Sequence, residues 1–198
     1  MIPGYHPRLT YGLIAISVLV GLYSSFGANI QALQPFLITY YVDAGLPEVR
    51  DGQVWRLVTP IFVHFGFLHI GLNMLWLWQL GTLIEFKRGP WLLAALVVIS
   101  GVLSNLGEFQ ASGPLFGGMS GVIFALLAYL WTQGRFNPHF GVRLDQRLFT
   151  MVMAFFVICW SGVLGYFGIH IANIAHTIGL LTGALWGYVA AKTRSESL

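Results

Sequence analysis

A chain of 198 residues that is 57% hydrophobic and only 9% charged, with a mean hydropathy of +0.74, is a membrane protein rather than a soluble domain. Its formal net charge of +3 is no nucleic-acid signal, because the few cations sit at the ends of apolar runs. The single cysteine, Cys159, excludes an internal disulfide and, lying within an apolar run, reads as a small buried hydrophobe.

In chain order, a first span is predicted over residues 9–26, closed by Gly27-Ala28-Asn29 and preceded by a short leader up to Arg8. Residues 28–66 are too mixed for a span, carrying Pro35, Asp43, Pro47, Glu48, Arg50, Asp51 and Arg56. Their aromatic and aliphatic clusters predict a long interfacial loop with short helices lying on the bilayer. The second span covers 67–86 and holds His69 and Asn73; Lys87-Arg88-Gly89-Pro90 connects it tightly to a third at 91–106. A Gly/Pro loop over 108–119 precedes a short fourth span at 120–133. A polar connection over 134–147 leads to the fifth at 148–164, a charge-free loop at 165–171, and the sixth at 172–191. The expectation is an all-α, polytopic bundle of six transmembrane helices, folded as one compact membrane domain over 1–198, without repeats or a cleavable signal peptide. Seven Trp, eight Tyr and fifteen Phe suit lipid contact and interfacial belts.

Six spans put both termini on one side, and charge says which. Arg8, Lys87, Arg88, Arg135, Arg143, Arg147, Lys192 and Arg194 fall on that side, against Arg50 and Arg56 on the other. The positive-inside rule then makes both termini cytoplasmic and points the long first loop outward. The inner (plasma) membrane of a cell is the expected location.

Helices rise about 1.5 Å per residue, so depth is measured from the cation at each inner helix end. Ser120 stands fifteen positions before Arg135, about 22 Å up. His176 is sixteen before Lys192, about 24 Å. Asn73 is fourteen and His69 eighteen before Lys87, about 21 and 27 Å. Taken singly, His69 and Asn73 serve equally as hydrogen-bonding struts between helices. Four such groups from three helices in one layer imply instead a polar cavity within the membrane, open to the outer side. His176, Gly179, Gly183 and Gly187 share one face of the sixth helix, and Gly121, Ala125 and Ala128 form a small stripe beside Ser120. Small stripes pack helices closely, which brings Ser120 within reach of His176.

A serine hydroxyl needs a base to act as a nucleophile at neutral pH, and imidazole suits that task. The stretch Gly117-Gly118-Met119-Ser120-Gly121 sets Ser120 in the first turn of a helix, where backbone N–H groups and the helix dipole favour an oxyanion. No acid falls at that depth: Asp145 and Glu85 read as inner, and Asp43, Asp51 and Glu108 as parts of outer loops. The offer is a Ser120–His176 dyad with His69 and Asn73 as oxyanion donors. His64 and His69 are five apart and no HExxH occurs, which argues against a metal site; no cofactor is expected.

The residues now resemble a family. Gly118-Met119-Ser120-Gly121 is similar to the GxSG motif of rhomboid intramembrane serine proteases, His69 to Asn73 to their HxxxN, and Ala175-His176 with Gly179 and Gly183 to their AHxxGxxxG. Trp55-Arg56 resembles a structural pair in their first outer loop. The resemblance is to the bacterial six-helix core type. It implies Ser120 as nucleophile, His176 as base and acid, His69 and Asn73 as the oxyanion hole, and Gly118, Gly121, Phe124 and Gly179 in support. Phe124 departs from the tyrosine that many relatives carry. The resemblance also implies transmembrane proteins as substrates, with the fifth helix and the following loop as gate and cap. The rival class is a non-catalytic rhomboid-like escort that binds membrane proteins. Such relatives usually lack the serine or the histidine, and both stand here. A channel or transporter would show paired broken helices.

Overall fold

The computed structural model describes residues 4–41, 45–168 and 170–195. Residues 1–3 of the leader, Val42 and Asp43 of the first loop, and Ile169 lie outside them. The described residues form six long helices: α1 (Arg8–Tyr23), α2 (Phe67–Arg88), α3 (Pro90–Ser112), α4 (Ser120–Phe136), α5 (Gln146–Trp160) and α6 (Asn173–Ser195). Between α1 and α2 the chain makes short helical turns at Ile30–Leu33, Pro47–Arg50, Val54–Leu57 and Thr59–Phe62. Among the described residues three helices, α2, α3 and α6, are long and apolar enough to cross a membrane; α1 and α5 are apolar but shorter.

The ends of α1, α3 and α5 differ from the sequence expectation, each for a local reason. α1 stops at Tyr23 because Ser25 and Phe26 turn left-handed (φ 51° and 53°), and the Phe26 N–H bonds back to the Gly21 carbonyl at 2.6 Å. α3 continues past Leu106 to Ser112. Gly107 does not break it, because Ile178 of α6 packs where its Cβ would be, and Glu108 is buried with its bonds satisfied. Gly113, at φ 78° just before Pro114, ends it. α5 stops at Trp160, where Ser161 Oγ donates to the Ile158 carbonyl (2.7 Å) and accepts from the Val163 N–H (3.3 Å). Such local side-chain bonds compete with the helical ladder.

The core is α4. Residues 121–130 are all buried, with α2, α3 and α6 packed around them and α6 most extensively. Glycine makes the α4–α6 approach possible. A Cβ on Gly179 would collide with the Gly121 carbonyl, and one on Gly183 with the Ala125 carbonyl. A Cβ on Gly187 would lie 3.0 Å from the Tyr129 carbonyl. Backbone thus lies directly on backbone along three turns. Leu72, Leu75, Trp91, Leu181 and Leu185 stay exposed on the outer faces, an apolar exterior suited to lipid.

Buried polar groups close the remaining gaps. Glu85 of α2 accepts from the N–H groups of Leu9 and Thr10 (2.9 Å each) and from Thr10 Oγ1 (2.7 Å), so it caps α1 from another helix. At the same end of the bundle, Gln133 Nε2 donates to the Gly187 carbonyl (2.6 Å), while its Oε1 accepts from Arg88 (2.6 Å) and Asn137 (3.0 Å). In the first loop, Arg56 is 2% exposed and donates to the carbonyls of Gln34 (2.7 Å) and Leu37 (2.8 Å) and to the Tyr40 hydroxyl.

Candidate active site

Ser120 opens α4 and His176 lies one turn into α6. The direct backbone contact between Gly121 and Gly179 sets these two positions side by side, and Ser120 Oγ stands 2.7 Å from His176 Nε2. That is the distance of a strong hydrogen bond. His176 is 4% exposed, and its Nδ1 is buried without a partner. Among the described residues, no third side chain bonds the ring from behind, as the carboxylate of a triad would. The Phe124 ring, one turn on from Ser120, tilts against the imidazole with centroids 4.7 Å apart. Phe156 of α5 meets the other side of Phe124 edge-on at 5.5 Å.

The loop before Ser120 is held from below. The Gly118 N–H donates to the Pro60 carbonyl (3.0 Å), and the Met119 N–H donates to His64 Nε2 (3.4 Å). Nδ1 of His64 faces the Phe62 carbonyl at 3.1 Å, so it carries the proton and donates. Burial, with the neighbouring His69, keeps His64 neutral by lowering its pKa to about 3. His64 thus acts as a strut for the loop, a role that its five-residue spacing from His69 does not signal.

His69 approaches the same loop from α2. Its Nδ1 accepts from the Phe65 N–H (3.3 Å), which puts the proton on Nε2, the nitrogen facing Gly118. Gly118 has φ 125°, and a Cβ there would lie 2.9 Å from His69 Nε2 and 3.7 Å from Ser120 Oγ. Only glycine leaves that space empty, and an oxyanion formed at Ser120 can occupy it. The N–H groups of Ser120, Gly121 and Val122, at the start of α4, have no intrahelical acceptor and are available as additional donors.

Asn73 is buried on α2, but its Nδ2 donates to the His69 carbonyl one turn back (2.9 Å), and its Oδ1 has no partner. One amide hydrogen remains for a ligand. The first role of this side chain is on its own helix, holding the segment that carries His69. A cavity beside Ser120 is walled by Ser104, Gly118, Gly121, Ala172, Ala175 and Phe116.

Glu108 departs most from expectation. It is not in an outer loop but in α3, 2% exposed, with Oε2 accepting from the Ala175 N–H at 2.9 Å and Oε1 from Ser112 Oγ at 2.7 Å. The signal for it was present: Ser104, Glu108 and Ser112 recur every fourth residue, a polar stripe on one helix face.

The family described as the Rhomboid domain matches residues 51–193. Proteins named Rhomboid protease GlpG from Salmonella paratyphi A, Salmonella newport and Salmonella typhi are each 39% identical to this chain over 137 residues, 69% of this chain and 49% of theirs. The chain spans about half the length of these relatives.

Proposed function

The chain belongs to the rhomboid family, and from that membership we propose that it is an intramembrane serine protease in which Ser120 is the nucleophile and His176 the general base. The observation that carries this reading is the 2.7 Å contact between Ser120 Oγ and His176 Nε2.

In the proposed reaction Ser120 Oγ attacks a peptide carbonyl carbon as its proton passes to His176 Nε2. The carbonyl oxygen becomes an oxyanion in the space over Gly118, met by His69 Nε2–H and the N–H groups at the start of α4, with the free Asn73 amide hydrogen as a further donor. Collapse expels the amine, which takes the proton from His176. Water, deprotonated by the same imidazole, then attacks the acyl carbon and frees Ser120. The helix start of α4 favours the negative charge throughout.

The substrates of this reading are transmembrane proteins, since the dyad lies among helices of a multi-pass membrane protein. All six long helices serve as spans in one membrane domain, α1, α4 and α5 as the shorter ones. The segment between α1 and α2 is the long interfacial loop. The charge distribution puts the termini on the cytoplasmic side of the inner membrane and opens the cavity outward.

The test is cleavage of a model transmembrane substrate by purified protein. Ser120→Ala and His176→Ala are each expected to abolish cleavage with the helical content and melting temperature retained. An alkyl fluorophosphonate is expected to label the wild-type protein at Ser120. Cleavage surviving in Ser120→Ala would overturn the assignment, and a protein that binds substrates without cutting them would be an escort.

A further inference from the structure

We propose that Glu108 and Ser104 of α3 are positioning residues for His176, acting as a two-armed clamp on Ala175, the residue immediately before it. The inference rests on the reading of Ser120 and His176 as the catalytic dyad.

The clamp grips both polar groups of one residue. The Ala175 N–H donates to Glu108 Oε2 at 2.9 Å, and the Ala175 carbonyl accepts from Ser104 Oγ at 3.0 Å. Glu108 and Ser104 are each 2% exposed and Ala175 is 6% exposed, so water does not compete for these bonds. Spaced four apart on α3, the two arms lie on the same helix face. Ser112, a further turn along, holds the other carboxylate oxygen at 2.7 Å. The Ala175 carbonyl belongs to the peptide unit that continues into the His176 nitrogen, so fixing it fixes the plane from which the imidazole departs.

Two further observations tie the clamp to the dyad. First, it touches the nucleophile's helix as well: a Cβ on Gly121 would lie 2.9 Å from Ser104 Oγ and 3.1 Å from the Ala175 carbonyl. One buried bond therefore abuts both the residue after Ser120 and the residue before His176. Second, His176 Nδ1 has no partner. A histidine in a triad is aimed by a carboxylate on Nδ1; here the carboxylate acts on the backbone one residue earlier, and the aim comes through the main chain and the Phe124 ring. Ala175 is also the third residue of α6, where an N–H has no intrahelical acceptor and a negative charge is favoured.

The experiment compares the rate of Ser120 labelling by an alkyl fluorophosphonate, and kcat and KM for a transmembrane substrate, in wild type, Glu108→Ala, Glu108→Gln, Ser104→Ala and Thr10→Val. Misplacing a reacting group by about 1 Å costs on the order of 100-fold, so Glu108→Ala is expected to lose about 10- to 100-fold in labelling and in kcat with KM little changed. Glu108→Gln keeps an oxygen acceptor for the Ala175 N–H and is expected to restore most of the rate. Thr10→Val removes a buried bond to Glu85 far along the chain and serves as the stability control, melting earlier but labelling at the wild-type rate. If wild type does not label, the dyad reading falls and the clamp with it. Wild-type labelling with a folded Glu108→Ala equally fast overturns the clamp alone. Should Glu108→Ala not fold, Ser104→Ala decides: slower labelling supports the clamp, and an unchanged rate overturns it.

Discussion

Gly179 of α6 rests against the backbone carbonyl of Gly121 of α4, with no room for a methyl group between them. The obstacle is main chain, which cannot swing aside as a side chain would, and it lies one residue from Ser120. Gly179→Ala is expected to destabilise the protein by about 1–3 kcal/mol and to cost activity even where folding is retained, because the two helices must part. Gly12→Ala, at a helical position with nothing within 4 Å of the new Cβ, is the comparison and is expected to be neutral. Unfolding in detergent of the two variants side by side checks this; equal behaviour would refute the close contact.

The oxyanion space predicts unequal roles for the two polar residues of α2. His69→Ala is expected to lower kcat by about 10²–10³-fold, the usual effect of losing one oxyanion donor. Asn73 already donates to the His69 carbonyl, so Asn73→Ala removes both a possible donor and a strut. It is expected to lower the melting temperature as well as kcat, whereas His69→Ala acts mainly on kcat. Steady-state kinetics and thermal melts on the same preparations separate the two; normal turnover in His69→Ala would remove it from the hole.

The C-terminal end of α5 is fastened to α6 by two polar contacts. Trp160 Nε1 donates to Thr177 Oγ1 at 3.2 Å, and Asn173 Nδ2 donates to the Cys159 carbonyl at 3.1 Å. Neither touches Ser120 or His176. Trp160→Ala is expected to leave the labelling rate of Ser120 at or above the wild-type level and to speed cleavage of a bulky transmembrane substrate by freeing that helix end. A large loss of both, with the fold intact, would make Trp160 part of the site's support.

Glu48 in the first loop supplies a pH dependence. Burial alone raises its pKa. The bonds from Thr39 Oγ1 (2.7 Å) and the Tyr40 N–H (2.9 Å), with the charge of Arg56 nearby, outweigh that and hold it below the ordinary 4.5. A carboxyl lowered on folding stabilises the fold fully above its unfolded value, and that contribution fades as pH falls through the folded one. Stability is therefore expected to drop with acid below about pH 4.5. Glu48→Gln, less stable at neutral pH, is expected to show a shallower acid dependence. Parallel melting curves from pH 7 to 3 for the two proteins would contradict the assignment.

The nearness of Ser120 to His176 was legible because both positions answer to helix geometry. Ser120 and His176 could be set at one depth by counting from Arg135 and Lys192, because a helix converts sequence distance into height at a fixed rate. The glycines at 179, 183 and 187 likewise announced a close approach through their spacing. Glu108 was misread because Gly107 and a charged side chain resemble a helix end. Nothing local tells that Ile178 fills the space at Gly107 or that an N–H from 67 residues away takes up the carboxylate. His64 was hidden for a similar reason: its partners are the backbone groups of Phe62 and Met119, and a backbone partner leaves no mark on the sequence.

Glu85 caps the first turn of α1 from 75 residues further along the chain, and this has a consequence for the order of biogenesis. When α1 leaves the ribosome its opening N–H groups have no protein acceptor, and none arrives until nearly all of α2 has been made. α6 meets the reverse situation, since Glu108 has been synthesised long before Ala175 emerges. α1 is thus completed by the helix that follows it, while α6 docks onto an acceptor already made. Ribosome-bound chains halted before and after residue 85 should accordingly differ in how firmly α1 is held.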